Sequence, residues 1–359
     1  MRLSSWPRNT AAPIPRLLST ASWTAFARAG KNWRPGWRGS VYFLGIDTSN
    51  YTTSAAVLDN RGQLVWEKRR LLDVPAGKRG LRQAEAFFQH VRHFPEIFQL
   101  PEDIAGQLTA VAVSTRPRDA EGSYMPVFTA GTSFARVVAR SLTIPCLECS
   151  HQQNHLAAGL WSAGWWPREP FLALHLSGGT SEVLAVEWDE PPRIKVLGET
   201  RDINAGQFID GVGVALGLPF PAGPSLEELA QGAAGSVRLP SPVRGMEMSF
   251  SGPLSAALRL VGEADPRELA RGVEDCIAKA VEKVLLAAGQ ATGCRDVLLV
   301  GGVTANARIR QRLRLRLEHK AVGFSLHFAS PQAARDGAIG CAVLAWRKYG
   351  TSKTNAGKK

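Results

Sequence analysis

No apolar run in this chain reaches the roughly 18–20 residues that a membrane-spanning helix needs, so no transmembrane helix is expected. Cysteine is scarce: five in 359 residues, without regular pairing. That excludes a disulfide scaffold and suits a reducing, cytoplasmic setting. Cys146 and Cys149 form a CxxC with no second copy, so they read as filler at a buried strand end, and Cys276, Cys294 and Cys341 as core residues. Acid is missing from both ends. Residues 1–38 hold seven Lys/Arg and residues 347–359 hold five, with no Asp or Glu in either. The remaining 31 basic residues balance the chain's 31 acids, so the net charge of +12 lies entirely in the tails. A uniformly basic coat for nucleic acid is thereby disfavoured, while local basic strips stay open. A further absence concerns chemistry: no carboxylate lies between His151 and His155. Zinc peptidases of the HExxH type need a Glu there as general base, so a peptidase reading has little chemical support.

Hydrophobic residues make up 45% of the chain, ample for a core, and the length allows one bilobal unit or two domains. Residues 1–40 carry Arg, Ser, Trp and Pro without a clear period. They read as a start assigned upstream of the true one, a disordered basic arm or a transit peptide; they lack the apolar stretch of a secretory signal. Strands are expected at 41–49, 52–59, 63–72 and 108–114, with helices near 82–97 and 129–141 and a short strand at 143–149. A similar order then returns, with strands at 171–177, 181–188, 193–200, 296–302 and 324–330 and a long helix near 267–290. Strand–strand–strand–helix–strand–helix, twice, describes an α/β protein of two ribonuclease-H-like lobes with a cleft between them. The expected divisions are a basic extension (1–40), an N-terminal lobe (41–150), a C-terminal lobe (151–347) and a basic tail (348–359).

Several residues point to chemistry. His151 and His155, at i and i+4, share a helix face and can hold one metal ion. The turns Ser177-Gly178-Gly179 and Gly301-Gly302 follow strands in corresponding places and suit phosphate, because glycine lets backbone N–H groups approach it. Asp47 ends the first strand, facing the expected cleft, and is the best candidate for a catalytic acid or base. Arg308, Arg312 and Arg316 align on one helix face, as a nucleic-acid phosphate strip or as a plain solvated face.

Ordered motifs sharpen this: GIDTS (45–49), His151/His155, SGGT (177–180), NAGQFID (204–210), FPAGP (220–224), MSFSG (248–252), GGVTAN (301–306) and Asp336. With them, residues 41–347 resemble the universal tRNA threonylcarbamoyladenosine-forming family, built on the actin/Hsp70/sugar-kinase fold. The resemblance implies transfer of a threonylcarbamoyl group from its adenylate to N6 of adenosine 37 in tRNA. It implies one divalent ion (Fe, Zn or Mg/Mn) on His151, His155 and Asp336. Ser177, Gly178 and Gly179 would contact phosphate, and Asp210, Gly223, Glu227 and Asn306 the nucleotide. Expected partners are tRNA, an adenylate-forming enzyme and accessory proteins, and no membrane. The chain departs from the family's pattern at several places. The ETSCDET loop becomes DTSNYTT, with Tyr51 and Thr52 in place of acids, and the GPGL loop becomes Arg116-Pro117-Arg118-Asp119. Thr180 replaces a His, Gln207 and Gly211 replace a Glu and a Lys, and Gly337 replaces an Asn. These departures motivate two alternatives: a non-transferase, nucleotide-binding paralogue with a regulatory or scaffolding role, and a small-molecule kinase or carbamoyltransferase on the same fold.

Overall fold

The computed structural model describes residues 41–49, 51–74, 81–189, 192–333 and 337–350. The expectations for 1–40, most of the basic tail and Asp336 fall outside these residues. In the first sheet, β1 (Tyr42–Asp47), β2 (Thr52–Asp59) and β3 (Leu64–Leu71) form an antiparallel meander. β4 (Leu108–Arg116) joins β1 in parallel and β5 (Cys146–Ser150) joins β4, giving the order β3-β2-β1-β4-β5. The second sheet repeats the plan. β6 (Phe171–Leu176), β7 (Ser181–Glu187) and β8 (Arg193–Glu199) make the meander; β9 (Val243–Arg244) and β10 (Glu247–Met248) pair in a small hairpin; β11 (Asp296–Val300) and β12 (Ser325–Phe328) add in parallel. Its order is β12-β11-β6-β7-β8. The expected duplication is therefore present strand for strand.

Central strands that are apolar along their whole length must be covered on both faces. On one face of the first sheet lie α1 (Gln83–Ile97) and α3 (Phe128–Leu142), which bury Phe94, Ile97 and Ala135 against Leu44, Ile46, Val57 and Val113. A single turn, α2 (Glu102–Ala105), leads into β4. The helix that ends the first half, α4 (His151–Ala163), does not cover its own sheet. Leu156 and Leu160 pack instead against Phe171, Leu184, Leu298 and Val300 of the second sheet. The other face of that sheet is covered by α5 (Ala205–Ala215), α6 (Gly223–Leu229), α7 (Ser251–Arg259) and the long α8 (Pro266–Thr292), with α9 (Ala307–Leu317) beside α8.

The last helix, α10 (Ile339–Gly350), returns to the first sheet, where Ile339, Ala342 and Val343 meet Ala56 and Leu58, and Cys341 meets Phe43 and Ala110. The two halves thus exchange their final helices, and α4 and α10 touch. Their contact is so close at Gly340 that a Cβ there would run into the Asn154 carbonyl. Asn154 seals the joint: its Nδ2 donates to the Gly337 carbonyl at 2.8 Å and its Oδ1 accepts from Cys341 N–H at 2.8 Å. Among the described residues no helix is long and apolar enough to cross a membrane.

Candidate functional site

The sequence Ser-x-x-Gln before an apolar-faced run is a capping box, and it starts α4. Ser150 Oγ accepts from Gln153 N–H at 3.1 Å, and Gln153 Oε1 accepts from Ser150 N–H at 2.8 Å. Capping fixes the helix start directly at His151, so both imidazoles are set by well-held backbone. His151 Nε2 and His155 Nε2 lie 2.9 Å apart. Two nitrogens each about 2.0–2.1 Å from one tetrahedral ion would stand about 3.3 Å apart, so the pair, now at hydrogen-bond distance, would share an ion after opening by a few tenths of an ångström.

Asp47 lies behind this pair and is fully buried, not open to the cleft as the sequence suggested. His151 Nδ1–H donates to Asp47 Oδ1 at 3.2 Å, and the hydroxyls of Ser49 and Ser114 donate to the same carboxylate. Burial pushes the Asp47 carboxyl up, but the His151 ring and the two serine hydroxyls outweigh it and hold it below the usual carboxylate range. An anion on Nδ1 leaves Nε2 as the lone-pair nitrogen facing outward, the usual arrangement behind a metal-binding histidine.

The Ser177 turn, the expected phosphate contact, adjoins α5. Ser177 Oγ accepts from Gly179 N–H at 3.2 Å and Thr180 N–H at 3.0 Å, while Gly178 and Gly179 stay exposed. Gly206 N–H donates to the Ser177 carbonyl at 3.1 Å, seating the helix N-terminus on the turn. In the second glycine turn, Gly301 has φ +94°, and any side chain there would collide with the Leu176 carbonyl.

The expected nucleotide residues come together, though partly as structural ties. Asp210, pushed up by burial, accepts from Ala222 N–H at 2.8 Å and so fixes the turn leading to Gly223. Glu227 accepts from Ala307 N–H at 2.8 Å, beside Asn306. Asn306 caps α9 by accepting from Ile309 N–H at 2.9 Å, and its Nδ2 donates to buried Glu274 at 2.7 Å. Glu274 escaped the sequence reading. In the MSFSG motif, Ser249, Phe250 N–H and Ser251 all donate to Asp202.

The divergent loop 116–119 uses its charges within the protein. Arg116 pairs with Asp119, and Arg118 reaches Glu182 at 3.1 Å and Glu199 at 3.0 Å on the second sheet. The arginine strip is paired as well: Arg308 with Asp275 at 3.2 Å, Arg312 and Arg316 with Glu282 at 3.2 and 2.9 Å. All five cysteines are free thiols. Among the described residues no three His, Cys, Asp or Glu side chains form a metal-binding group by themselves, and Asp336 lies outside those residues.

Two matched sheets, exchanged terminal helices and glycine turns define a two-lobed protein of the actin/Hsp70/sugar-kinase class. Solved structures agree on the fold. Component A of (R)-2-hydroxyglutaryl-CoA dehydratase from Acidaminococcus fermentans superposes with a TM-score of 0.52 at 18% identity, covering 86% of this chain and 98% of that one. A ROK family glucokinase from Streptomyces griseus gives 0.50 at 13%, covering 85% and 99%. Within that class, the sequence profile of tRNA N6-adenosine threonylcarbamoyltransferase matches residues 102–339. The Thermus thermophilus protein of that name is 32% identical over 318 residues, 86% of this chain and 93% of the relative. The chain belongs to the tRNA N6-adenosine threonylcarbamoyltransferase family.

Proposed function

We propose that this protein transfers the threonylcarbamoyl group from threonylcarbamoyl-AMP to N6 of adenosine 37 in tRNA. The observation that carries the reading is the convergent histidine pair, packed on His175 two residues before the Ser177 turn, inside a chain of this family. The adenylate lies with its phosphate on Ser177, Gly178 and Gly179 and its ribose towards Asp210, with Gly223, Glu227 and Asn306 shaping the nucleotide end. The adenosine N6 amine attacks the carbamoyl carbon. The new C–N bond forms as the C–O bond to phosphate breaks, AMP leaves as the phosphate anion, and the N6 proton passes to solvent water. His151 and His155, together with Asp336, would hold one divalent ion. When bound, it polarises the reacting oxygens and offsets developing negative charge. Asp47 orients His151 and does not touch substrate. The rest of the catalysis is placement and fixed dipoles, supplied by the Ser177 turn and the N-terminus of α5. Partner proteins of the same pathway, including the one that makes the adenylate, act with it, in the cytoplasm.

The test is a reconstituted transfer with the full chain, the adenylate-forming enzyme, accessory partners, threonine, bicarbonate, ATP and unmodified tRNA. Modified nucleoside is read by mass spectrometry. We expect product with the wild type and none with His151→Ala/His155→Ala. Equal product from that double variant would overturn the reading.

A further inference from the structure

Two carboxylates of the second sheet face each other. Glu182 on β7 and Glu199 on β8 stand directly opposite in the antiparallel register, so both side chains share one face of the sheet. Like charges in that position repel, and the Glu182 side chain is only 2% exposed, where water screens little. Burial pushes the Glu182 carboxyl up, but His175, Gln152 and Arg118 outweigh it and keep it below the usual carboxylate range. The cation between the two acids comes from the other lobe. Arg118 Nη2 donates to Glu199 Oε2 at 3.0 Å and lies 3.1 Å from Glu182 Oε2. Position 118 is one of those at which the chain departs from the family's glycine-rich loop, and a glycine could not make this tie.

The same contacts close a ring around the start of α4. Gln152 N–H donates to the Pro117 carbonyl at 3.0 Å, and Gln152 Nε2 donates to Glu182 Oε1 at 2.9 Å. Arg118, next to Pro117, returns to the other oxygen of Glu182. The residue after His151 is thus gripped by first-lobe backbone and by a second-lobe carboxylate, and Arg118 joins the two grips. We propose that Arg118 is a positioning residue that clamps the two lobes together and so fixes the start of α4, with its histidine pair, against the second sheet. What the clamp serves rests on the transfer reading given under Proposed function. The expected nucleotide contacts, from the Ser177 turn to Asn306, all belong to the second lobe. Losing the clamp therefore leaves adenylate binding nearly alone and misplaces the histidine pair, and small misplacements of that kind act on kcat.

The experiment follows hydrogen exchange over residues 150–156 of the full chain by mass spectrometry, and measures kcat and KM for transfer from added threonylcarbamoyl-AMP. The proteins are wild type, Arg118→Ala, Arg118→Lys, Arg118→Glu, Arg118→Glu/Glu199→Arg and Arg193→Ala. Arg118→Ala should raise exchange over 150–156 at least about fivefold without raising it in α8. It should lower kcat at least about tenfold with the adenylate KM within about twofold of wild type. Arg118→Lys keeps the charge without the planar fork and should fall between the two. Arg118→Glu gathers three carboxylates and should do worst. Adding Glu199→Arg returns a cation between Glu182 and the first lobe and should recover most of the loss, which a packing defect would not. Arg193→Ala, whose ion pairs to Glu187 and Asp189 stay within the second lobe, should match wild type. Unchanged exchange over 150–156 in Arg118→Ala, wild-type kcat despite raised exchange, or no recovery in the charge swap would each overturn the proposal. A wild type that makes no product would instead overturn the transfer reading, and the exchange results would still decide the clamp.

Discussion

Glu274 should make the protein lose stability as the pH rises towards neutrality, and Glu274→Gln should remove that loss. The carboxyl sits on α8 under the Asn306 cap, 3.3 Å from Arg271, and its Oε2 has no hydrogen-bond partner among the described residues. Burial raises its pKa from 4.5 to about 7, against the pull of Asn306 and Arg271. Between those values the unfolded chain has released the proton while the folded chain keeps it. Stability therefore falls as the pH rises through this window, and the full penalty is present above about 7. At about 1.4 kcal/mol per pH unit the gap corresponds to at most about 3.5 kcal/mol. Screening and local relaxation bring the expected effect to about 1–2 kcal/mol. Glutamine keeps an oxygen for Asn306 Nδ2 but carries no charge. The Arg271 attraction acts on the ionised carboxylate and is already contained in the shifted pKa, whereas any change in packing is independent of pH, so the slope is the quantity to read. Urea unfolding at pH 4.5, 6 and 8 should show the variant gaining on wild type as the pH rises. Parallel profiles for the two proteins would refute the reasoning.

Two other predictions follow from packing and pairing. Gly340→Ala should push α10 off α4 at the Asn154 carbonyl, costing about 1–3 kcal/mol and weakening metal binding by shifting the histidine helix; Gly252→Ala, in open space, is the control, and equal melting points would refute the clash. Because Arg308, Arg312 and Arg316 are paired with Asp275 and Glu282, replacing all three by Gln should leave the salt dependence of tRNA binding nearly unchanged; a log–log slope shallower by about 2–3 would show that they bind phosphate after all.

What could be read from the sequence was what local pattern governs. The meanders, the parallel strands after them and the long α8 fall within a few residues of their expected bounds, because apolar runs and turn residues act locally. Which sheet each helix covers was not legible, since the apolar faces of α4 and α10 do not specify a partner. Asp47 looked like a cleft residue because it ends a strand. Its burial comes from His151, about a hundred positions away, and from Ser114 on the neighbouring strand. The arginine strip could have been judged better from the sequence: Asp275 and Glu282 are two helical turns apart on α8, a spacing that suits Arg308 to Arg316 on an adjacent helix. His175 also left a signal, a single imidazole in a run of wholly apolar residues, where a polar group needs a reason.

The helix exchange explains why these residues meet where they do. His151 begins the helix that ends the first half, yet that helix is anchored by Leu156 and Leu160 to the second sheet. Its first turn stays tied to the first sheet through Asp47 on β1, while Gln152 bonds Glu182 on β7. The first turn of this helix thus touches both lobes, and His155 packs on His175 of β6. α10 packs on the first sheet and meets α4 through Asn154, which binds the backbone of Gly337 and Cys341. A change in the angle between the sheets would strain this joint, because close-packed interiors transmit displacement. An ion held, as proposed, by the two histidines at the start of α4 would tie its own geometry to this joint. On that argument the ion site would help set the shape of the nucleotide site as well as act on the reacting oxygens.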